Sequence, residues 1–288
     1  MLNSVQEYHY PGSLEEASEL HDREGRSFFI AGGTALALSD SSRPVELIDI
    51  SRLELDELRV EESCNRIRIG ATTRIQDIVE DERVNPFLGG FLSDSLEEIG
   101  SYPIRNAGTL GGSLVRPFPW SDVIPILAVL DADISYYHEG DTASRSLAKL
   151  YESEFRPTLN DSIITGIEID LSGEGETAAT FSKFNRSEFD VAALNLACRL
   201  TLDGQKISRA RLAVGSRPMT GQRVEEVEEA LLGEKLTAET AAKAGEFAGA
   251  KTPVRGDNKI SGEYRKTLVE KMTEDAIRKI RNEVANEN

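Results

Sequence analysis

Residues that bind metals or nucleic acids are scarce in this sequence. It has only two cysteines, Cys64 and Cys198, whereas an iron–sulfur cluster commonly needs four thiolates. The three histidines are scattered along the chain and show no zinc-ligand spacing. The chain has 33 lysines and arginines and 50 acidic residues, which gives a net charge of −17. We therefore expect no metal and no nucleic-acid partner on this chain.

Long apolar runs are also missing. The best run, Val123–Leu130, contains Pro125 and is followed by Asp131. This run is far too short to span a membrane. The first ten residues lack the apolar core of a signal peptide. These absences predict a cytoplasmic protein with no membrane span.

Glycine is concentrated in two segments. Ala31–Leu36 reads AGGTAL, and Ile104–Ser113 reads IRNAGTLGGS. Each joins a double glycine to a hydroxyl residue, and backbone N–H groups near glycine approach a ligand without a Cβ in the way. Either segment alone is equally typical of a tight turn. Together they indicate that the pyrophosphate of a dinucleotide is held without the usual Rossmann fingerprint.

The 288 residues suit two domains. The first part mixes short strands with amphipathic helices. The predicted strands are 28–30, 45–50, 66–70, 134–137 and 163–169, and the predicted helices are 11–24, 75–79, 87–99 and 122–130.

The last third has a different pattern. Two strand-like runs, 191–202 and 207–214, are joined through Asp203-Gly204, which is a hairpin signal. Helical patterns follow at 223–232, 237–251 and 264–284. The chain is therefore predicted to be α+β, with a domain boundary at Ser172–Gly175.

These motifs resemble one known family. The pattern comprises PGSLEEA at 11–17, AGGT at 31–34, IGATT at 69–73, the second glycine segment, Ser121-Asp122, Lys183 with Arg186, and SGEYR at 261–265. In this order the motifs resemble the FAD-binding medium subunit of molybdenum hydroxylases. That family includes the flavoprotein subunits of xanthine dehydrogenase and aerobic carbon monoxide dehydrogenase.

The resemblance implies a fold. A PCMH-type FAD-binding domain of two α+β subdomains would cover residues 1–172, divided into about 1–54 and 55–172. A smaller α+β domain with a three-stranded antiparallel sheet and helices would cover residues 176–288.

The resemblance also implies site residues. The pyrophosphate would lie on the two glycine segments, Asp122 would contact the ribose or adenine end, and Ile99, Tyr102, Ile164 and Lys183 would lie near the isoalloxazine. The full predicted cofactor site is Ala31, Gly32, Gly33, Thr34, Ala35, Leu36, Ile99, Tyr102, Thr109, Gly111, Gly112, Ser113, Asp122, Ile164 and Lys183. No residue is expected to act as a general acid or base.

Several of these residues have a second interpretation. Asp122 is also placed to cap a helix, Lys183 to be a surface lysine, and Tyr102 to pack in the core. Tyr264 and Arg265 are expected to anchor the last helix. Ala35 stands where many relatives have an acidic residue, which puts the nucleotide geometry in question.

The resemblance implies an electron-transfer function. FAD would be bound by this chain, and molybdopterin and 2Fe-2S clusters by a large and a small partner subunit in a dimer of heterotrimers. Electrons would pass from the clusters through FAD to NAD or another acceptor. Two alternatives remain at this point: a self-sufficient FAD oxidoreductase of the same superfamily, and a flavin-free assembly scaffold.

Overall fold

The computed structural model describes residues 5–21, 27–36, 45–61, 65–115, 118–172, 175–187, 190–216, 219–258 and 260–287. The end of the first predicted helix, part of the predicted boundary at 172–175, and Cys64 lie outside these ranges. Within them the chain forms three sheets, each with its own helices.

The first sheet is small and parallel, in the order β1-β3-β2. Its strands are β1 (Val5–His9), β2 (Ser27–Ile30) and β3 (Val45–Asp49), and helix α1 (Leu14–Leu20) follows β1. Ser13 caps α1, because its hydroxyl accepts the Glu16 N–H. Strand β2 ends at Ile30, so the first glycine segment begins directly at its carboxyl end.

The second sheet is antiparallel, in the order β4-β5-β8-β6-β7. Its strands are β4 (Leu58–Glu61), β5 (Arg66–Gly70), β6 (Asp133–His138), β7 (Asp141–Ser146) and β8 (Ile163–Asp170). Between β5 and β6 the chain forms a layer of helices: α2 (Ile75–Glu80), α3 (Phe91–Glu97), α4 (Tyr102–Ala107), α5 (Gly112–Val115) and α6 (Val123–Val129). Two short helices, α7 (Leu147–Leu150) and α8 (Arg156–Asn160), connect β7 to β8.

The predicted helix 87–99 is interrupted. A 3₁₀ turn at Phe87–Gly90 precedes α3, and Leu88, Gly89 and Gly90 have positive φ. The apolar spacing favoured one helix, but the glycine pair allows left-handed backbone that ends a helical path.

The third sheet has the order β12-β11-β10-β9. The predicted hairpin is confirmed as β10 (Leu194–Asp203) and β11 (Lys206–Ser216), and β9 (Glu176–Phe184) pairs with the other edge of β10. The predicted three strands are joined by a fourth short strand, β12 (Met219–Arg223). Helices α9 (Glu225–Leu231), α10 (Ala238–Lys251) and α11 (Gly262–Glu287) pack on this sheet.

Arg265 anchors the last helix as predicted. Its guanidinium is buried, donates to the Arg255 carbonyl, and lies 2.6 Å from Asp257 Oδ2. The loop before α11 is thereby fixed to its first turn. Tyr264 is half exposed and contacts Phe184 edge to face.

Candidate functional site

The first glycine segment leaves backbone donors available. Gly33 has a φ of +67°, which favours glycine, and Leu36 anchors the segment in a small apolar cluster below it. Within the described residues, the N–H groups of Gly32, Gly33 and Thr34 make no hydrogen bond. Consecutive N–H groups of this kind form a concavity suited to an anion.

The second glycine segment uses its backbone donors internally. Gly111 N–H donates to the Ala71 carbonyl at 2.9 Å, and Gly112 N–H to the Thr109 hydroxyl at 3.2 Å. Ser113 N–H and hydroxyl both reach the Thr109 carbonyl. A Cβ on Gly111 would lie 2.6 Å from the Ala71 Cβ, so this glycine permits close packing against the end of β5.

The structure brings the two segments into contact. A Cβ built on Gly32 would lie 1.8 Å from the Ala107 carbonyl oxygen, which only glycine permits. A Cβ on Gly108 would lie 3.7 Å from the Thr34 hydroxyl. We call this contact, formed by residues 31–36 with 107–113, the glycine junction. It places the available amides of the first segment beside the ordered second segment.

Two buried hydroxyls beside the glycine junction were not predicted as site residues. Thr72 and Thr73 follow β5, and both Oγ1 atoms are buried with no hydrogen-bond partner within the described residues. The Thr73 carbonyl accepts the Leu110 N–H at 3.1 Å, so this turn runs along the second segment. Buried polar atoms without partners are costly and call for a ligand or an ordered water. The hydroxyl pair directly after a buried strand was the available sequence signal.

A second group of side chains, which we call the Lys183 cluster, consists of Lys183, Asp122 and Asn195. Lys183 is only 6% exposed, its Nζ lies 3.8 Å from Asp122 Oδ2, and it donates to the Glu98 carbonyl. Asn195 donates to Asp122 Oδ1 at 2.6 Å. Burial raises the pKa of the Asp122 carboxyl above its ordinary value, and the hydrogen bond from Asn195 and the charge of Lys183 oppose that rise.

The contact bears on two of the predicted positions. Asp122 is expected at the ribose or adenine end and Lys183 near the isoalloxazine, and the two side chains lie 3.8 Å apart. The surface-lysine interpretation is wrong, because Lys183 is buried. Asp122 does occupy the N-cap position of α6, yet its side chain makes no capping hydrogen bond.

Cationic donors hold the turn between α3 and α4. Buried Arg105 donates to the carbonyls of Glu97 at 2.8 Å and Ile99 at 3.1 Å, and to Gln76 at 2.8 Å. Lys183 donates to the carbonyl between them. Three successive carbonyls are thus fixed from two elements, so Arg105 and Lys183 order this turn.

The remaining predicted residues lie in different environments. Tyr102 is 56% exposed, so the core-packing interpretation is wrong and its ring is accessible. Ile99 is half buried at the end of the same turn, and Ile164 is buried in β8. Helix α4 leads from Tyr102 to the glycine junction and is about 9 Å long. The Lys183 cluster and the glycine junction therefore flank one short helix.

Two family models match the chain. Residues 3–170 match the FAD-binding domain in molybdopterin dehydrogenase, and residues 179–280 match the carbon monoxide dehydrogenase flavoprotein C-terminal domain. These two matches define an FAD-binding domain followed by a smaller α+β domain. The chain belongs to the FAD-binding medium subunits of the molybdenum hydroxylases, an oxidoreductase family.

Relatives cover nearly the whole chain. The 6-hydroxypseudooxynicotine dehydrogenase complex subunit alpha of Paenarthrobacter nicotinovorans is 30% identical, over 95% of this chain and 93% of its own length. The carbon monoxide dehydrogenase medium chain of Hydrogenophaga pseudoflava is 26% identical, over 94% and 95%. A solved structure of carbon monoxide dehydrogenase from Hydrogenophaga pseudoflava has a TM-score of 0.87 at 24% identity, covering 97% of this chain and 98% of that chain, and shows the same fold.

Within the part of the chain that the structure describes, no helix is long and apolar enough to cross a membrane.

Proposed function

We propose that this chain is the FAD-carrying electron-transfer subunit of a molybdenum hydroxylase complex. A large subunit would bind molybdopterin, and a small subunit would bind 2Fe-2S clusters. The relatives are a medium chain and a complex subunit, which supports the assembly. A dimer of heterotrimers in the cytoplasm, with a domain boundary at residues 172–176, remains part of the proposal.

The glycine junction carries the proposal. The amides of Gly32, Gly33 and Thr34 have no protein partner within the described residues, and the pyrophosphate of FAD supplies the anionic acceptors that such amides bind. The Cβ-free approach at Gly32 and the unpartnered hydroxyls of Thr72 and Thr73 also fit a polar ligand here. In this assignment Gly111, Gly112 and Ser113 shape the cradle, and Thr34 and Thr109 line it.

The Lys183 cluster is assigned to the isoalloxazine end. Lys183 places a buried positive charge there, and positive charge near a flavin favours its reduced anionic form. Tyr102 presents an accessible ring for stacking, and Ile99 and Ile164 supply apolar surface. Asp122 orients Lys183 rather than contacting the adenine end.

FAD would accept electrons from the clusters of the small subunit and release them to NAD or another acceptor. The chain itself binds and orients the cofactor. The chain has only two cysteines, whereas an iron–sulfur cluster commonly needs four thiolates. The clusters are therefore assigned to a partner.

An absorbance spectrum of the purified chain, with the flavin identified after heat release, tests the proposal. We expect bound FAD that bleaches with dithionite and no turnover of NADH by the chain alone. Rapid NADH turnover by the single chain would replace the proposal with a self-sufficient oxidoreductase. A chain that stays colourless after incubation with FAD and with its partner subunits would indicate a flavin-free scaffold.

A further inference from the structure

One carboxylate joins the second sheet to the third. Asp131 follows α6, and three arginines of the third sheet donate to it: Arg199 at 2.6 Å, Arg211 at 2.8 and 2.9 Å, and Arg223 at 3.2 Å. Arg223 also donates to Glu228. Asp131 therefore forms ion pairs with three arginines of the third sheet.

Asp131 is an unfavourable residue for its local position. Its φ is +50°, and it lies directly after Leu130, the C-cap residue of α6, where glycine is preferred. A negative charge is also disfavoured at the C-terminal end of a helix. Two broken local rules at one residue indicate a role outside the helix.

Asp131 lies at the centre of a cationic group. The Arg199 side chain is fully buried, and Arg199 is the direct cross-strand neighbour of Arg211. Like charges in this arrangement repel, and a shared carboxylate offsets the repulsion. Glu228 pairs with Arg223 and lies 3.9 Å from Arg211, whereas Asp131 contacts all three arginines.

The same strand also contacts the other end of α6. Asn195 precedes Arg199 by four residues on one face of β10, and it donates to Asp122 at 2.6 Å. Asp122 and Asp131 flank the seven residues of α6, which cover about 10.5 Å of helix, and four strand residues cover about 13 Å. Strand β10 therefore reaches both ends of α6, and Lys183 is the cross-strand partner of Asn195.

Small residues seat the helix closely on the sheet. Ala197 and Ala213 are fully buried and pack with the core around α6. A Cβ on Gly221 would lie 2.7 Å from Pro125 Cδ, and Gly221 has a φ of +76°. Polar contacts therefore hold both ends of α6, and the close packing leaves little room for α6 to shift along the third sheet.

We propose that Asp131 is a positioning residue for the flavin end of the site. By fixing α6 on the third sheet, it holds Lys183 and Asn195 against Asp122. This inference rests on the proposed function, because Lys183 is assigned there to the isoalloxazine. Asp131 itself contacts neither cofactor nor substrate.

The test is Asp131→Asn in the full chain, which keeps the shape and removes the charge. We expect the FAD dissociation constant, measured by flavin fluorescence, to rise at least about fivefold, with a shift in flavin midpoint potential. Asp170→Asn is the matched control, because exposed Asp170 accepts from Arg66 at 3.0 Å within the second sheet. It should leave both values unchanged, and equal effects of the two variants would overturn the proposal.

A double-mutant cycle with Lys183→Gln distinguishes positioning from general destabilisation. If Asp131 acts through Lys183, the effect of Lys183→Gln on the potential is much smaller in the Asp131→Asn background. Additive effects would overturn the proposal.

Hydrogen exchange separates this inference from the proposed function. In the FAD-free chain, Asp131→Asn should speed exchange in 181–196 and leave β5 and β8 unchanged. Unchanged exchange in 181–196 would overturn the inference even if the wild type binds no FAD, which would contradict the proposed function alone. If Asp131→Asn does not fold, Arg211→Gln removes contacts to both Asp131 oxygens and takes its place.

Discussion

The two glycine segments are alike in sequence and different in structure. Residues 31–36 leave the amides of Gly32, Gly33 and Thr34 without partners within the described residues, whereas Gly111, Gly112 and Ser113 donate to protein oxygens. The first follows the end of a parallel strand. The second pairs with residues 71–75 and then enters α5. Glycine permits close packing in both segments, and in the proposed function only the first segment offers amides to the ligand.

Gly32→Ala should have the largest effect. The new Cβ would lie 1.8 Å from the Ala107 carbonyl oxygen and force the glycine junction apart. Since several hydrogen bonds to an anion would be lost, FAD affinity should fall by about a hundredfold or more in a fluorescence titration. Gly12→Ala is the control, because its Cβ would meet only Glu16 Oε2 at 3.5 Å. Retained affinity in Gly32→Ala would remove the distinction between the segments.

Gly111→Ala should affect stability more than binding. Its Cβ would lie 2.6 Å from the Ala71 Cβ, and overpacking of this kind typically costs about 1–3 kcal/mol of unfolding free energy. Urea unfolding of the FAD-free chain measures that loss. We expect the folded variant to bind FAD with an affinity near that of the wild type. A hundredfold loss of affinity without a loss of stability would reverse the assigned roles.

Thr109→Val removes an internal acceptor of the second segment. Gly112 N–H would lose its partner at 3.2 Å, and the loss of one hydrogen bond costs about 0.5–1.5 kcal/mol. Urea unfolding should show this loss, whereas Thr142→Val on exposed strand β7 should not. Equal stability of the two variants would contradict the internal role of Thr109.

The smallest expected effect is a pH dependence of the unfolding free energy that comes from Asp122. Burial raises the pKa of its carboxyl above 3.8 in the folded chain. Its contribution to stability is therefore full below the unfolded-state pKa and is lost as pH rises through the folded-state pKa. The unfolding free energy of the wild type relative to Asp122→Asn should fall between acidic and neutral pH. Urea unfolding at several pH values measures it, and a rise with pH would contradict the burial of this charge.

Sequence patterns located most of the first and second sheets and the hairpin of the third. Strands β1, β4, β7, β9 and β12 were not predicted, because they are short or exposed and lack a continuous apolar pattern. The missing β9 matters most, since it carries Lys183.

The sequence predicted which residues form the candidate site better than it predicted the contacts between them. Both glycine segments were identified, but their similar sequences do not show which backbone amides donate hydrogen bonds to other parts of the chain. The contact of Lys183 in β9 with Asp122 at the start of α6 joins residues 61 positions apart, and no local spacing encodes it. Thr72 and Thr73 were noted only as part of a motif, because their significance depends on burial without partners.

Residue-resolved hydrogen exchange of the FAD-free and FAD-bound chain tests the central claim most directly. Our account predicts fast exchange at Gly32, Gly33 and Thr34 without FAD, slowed at least about tenfold when FAD binds. Gly111, Gly112 and Ser113 should exchange slowly in both states. Slow exchange at 32–34 in the FAD-free chain, or protection by FAD confined to 111–113, would contradict it.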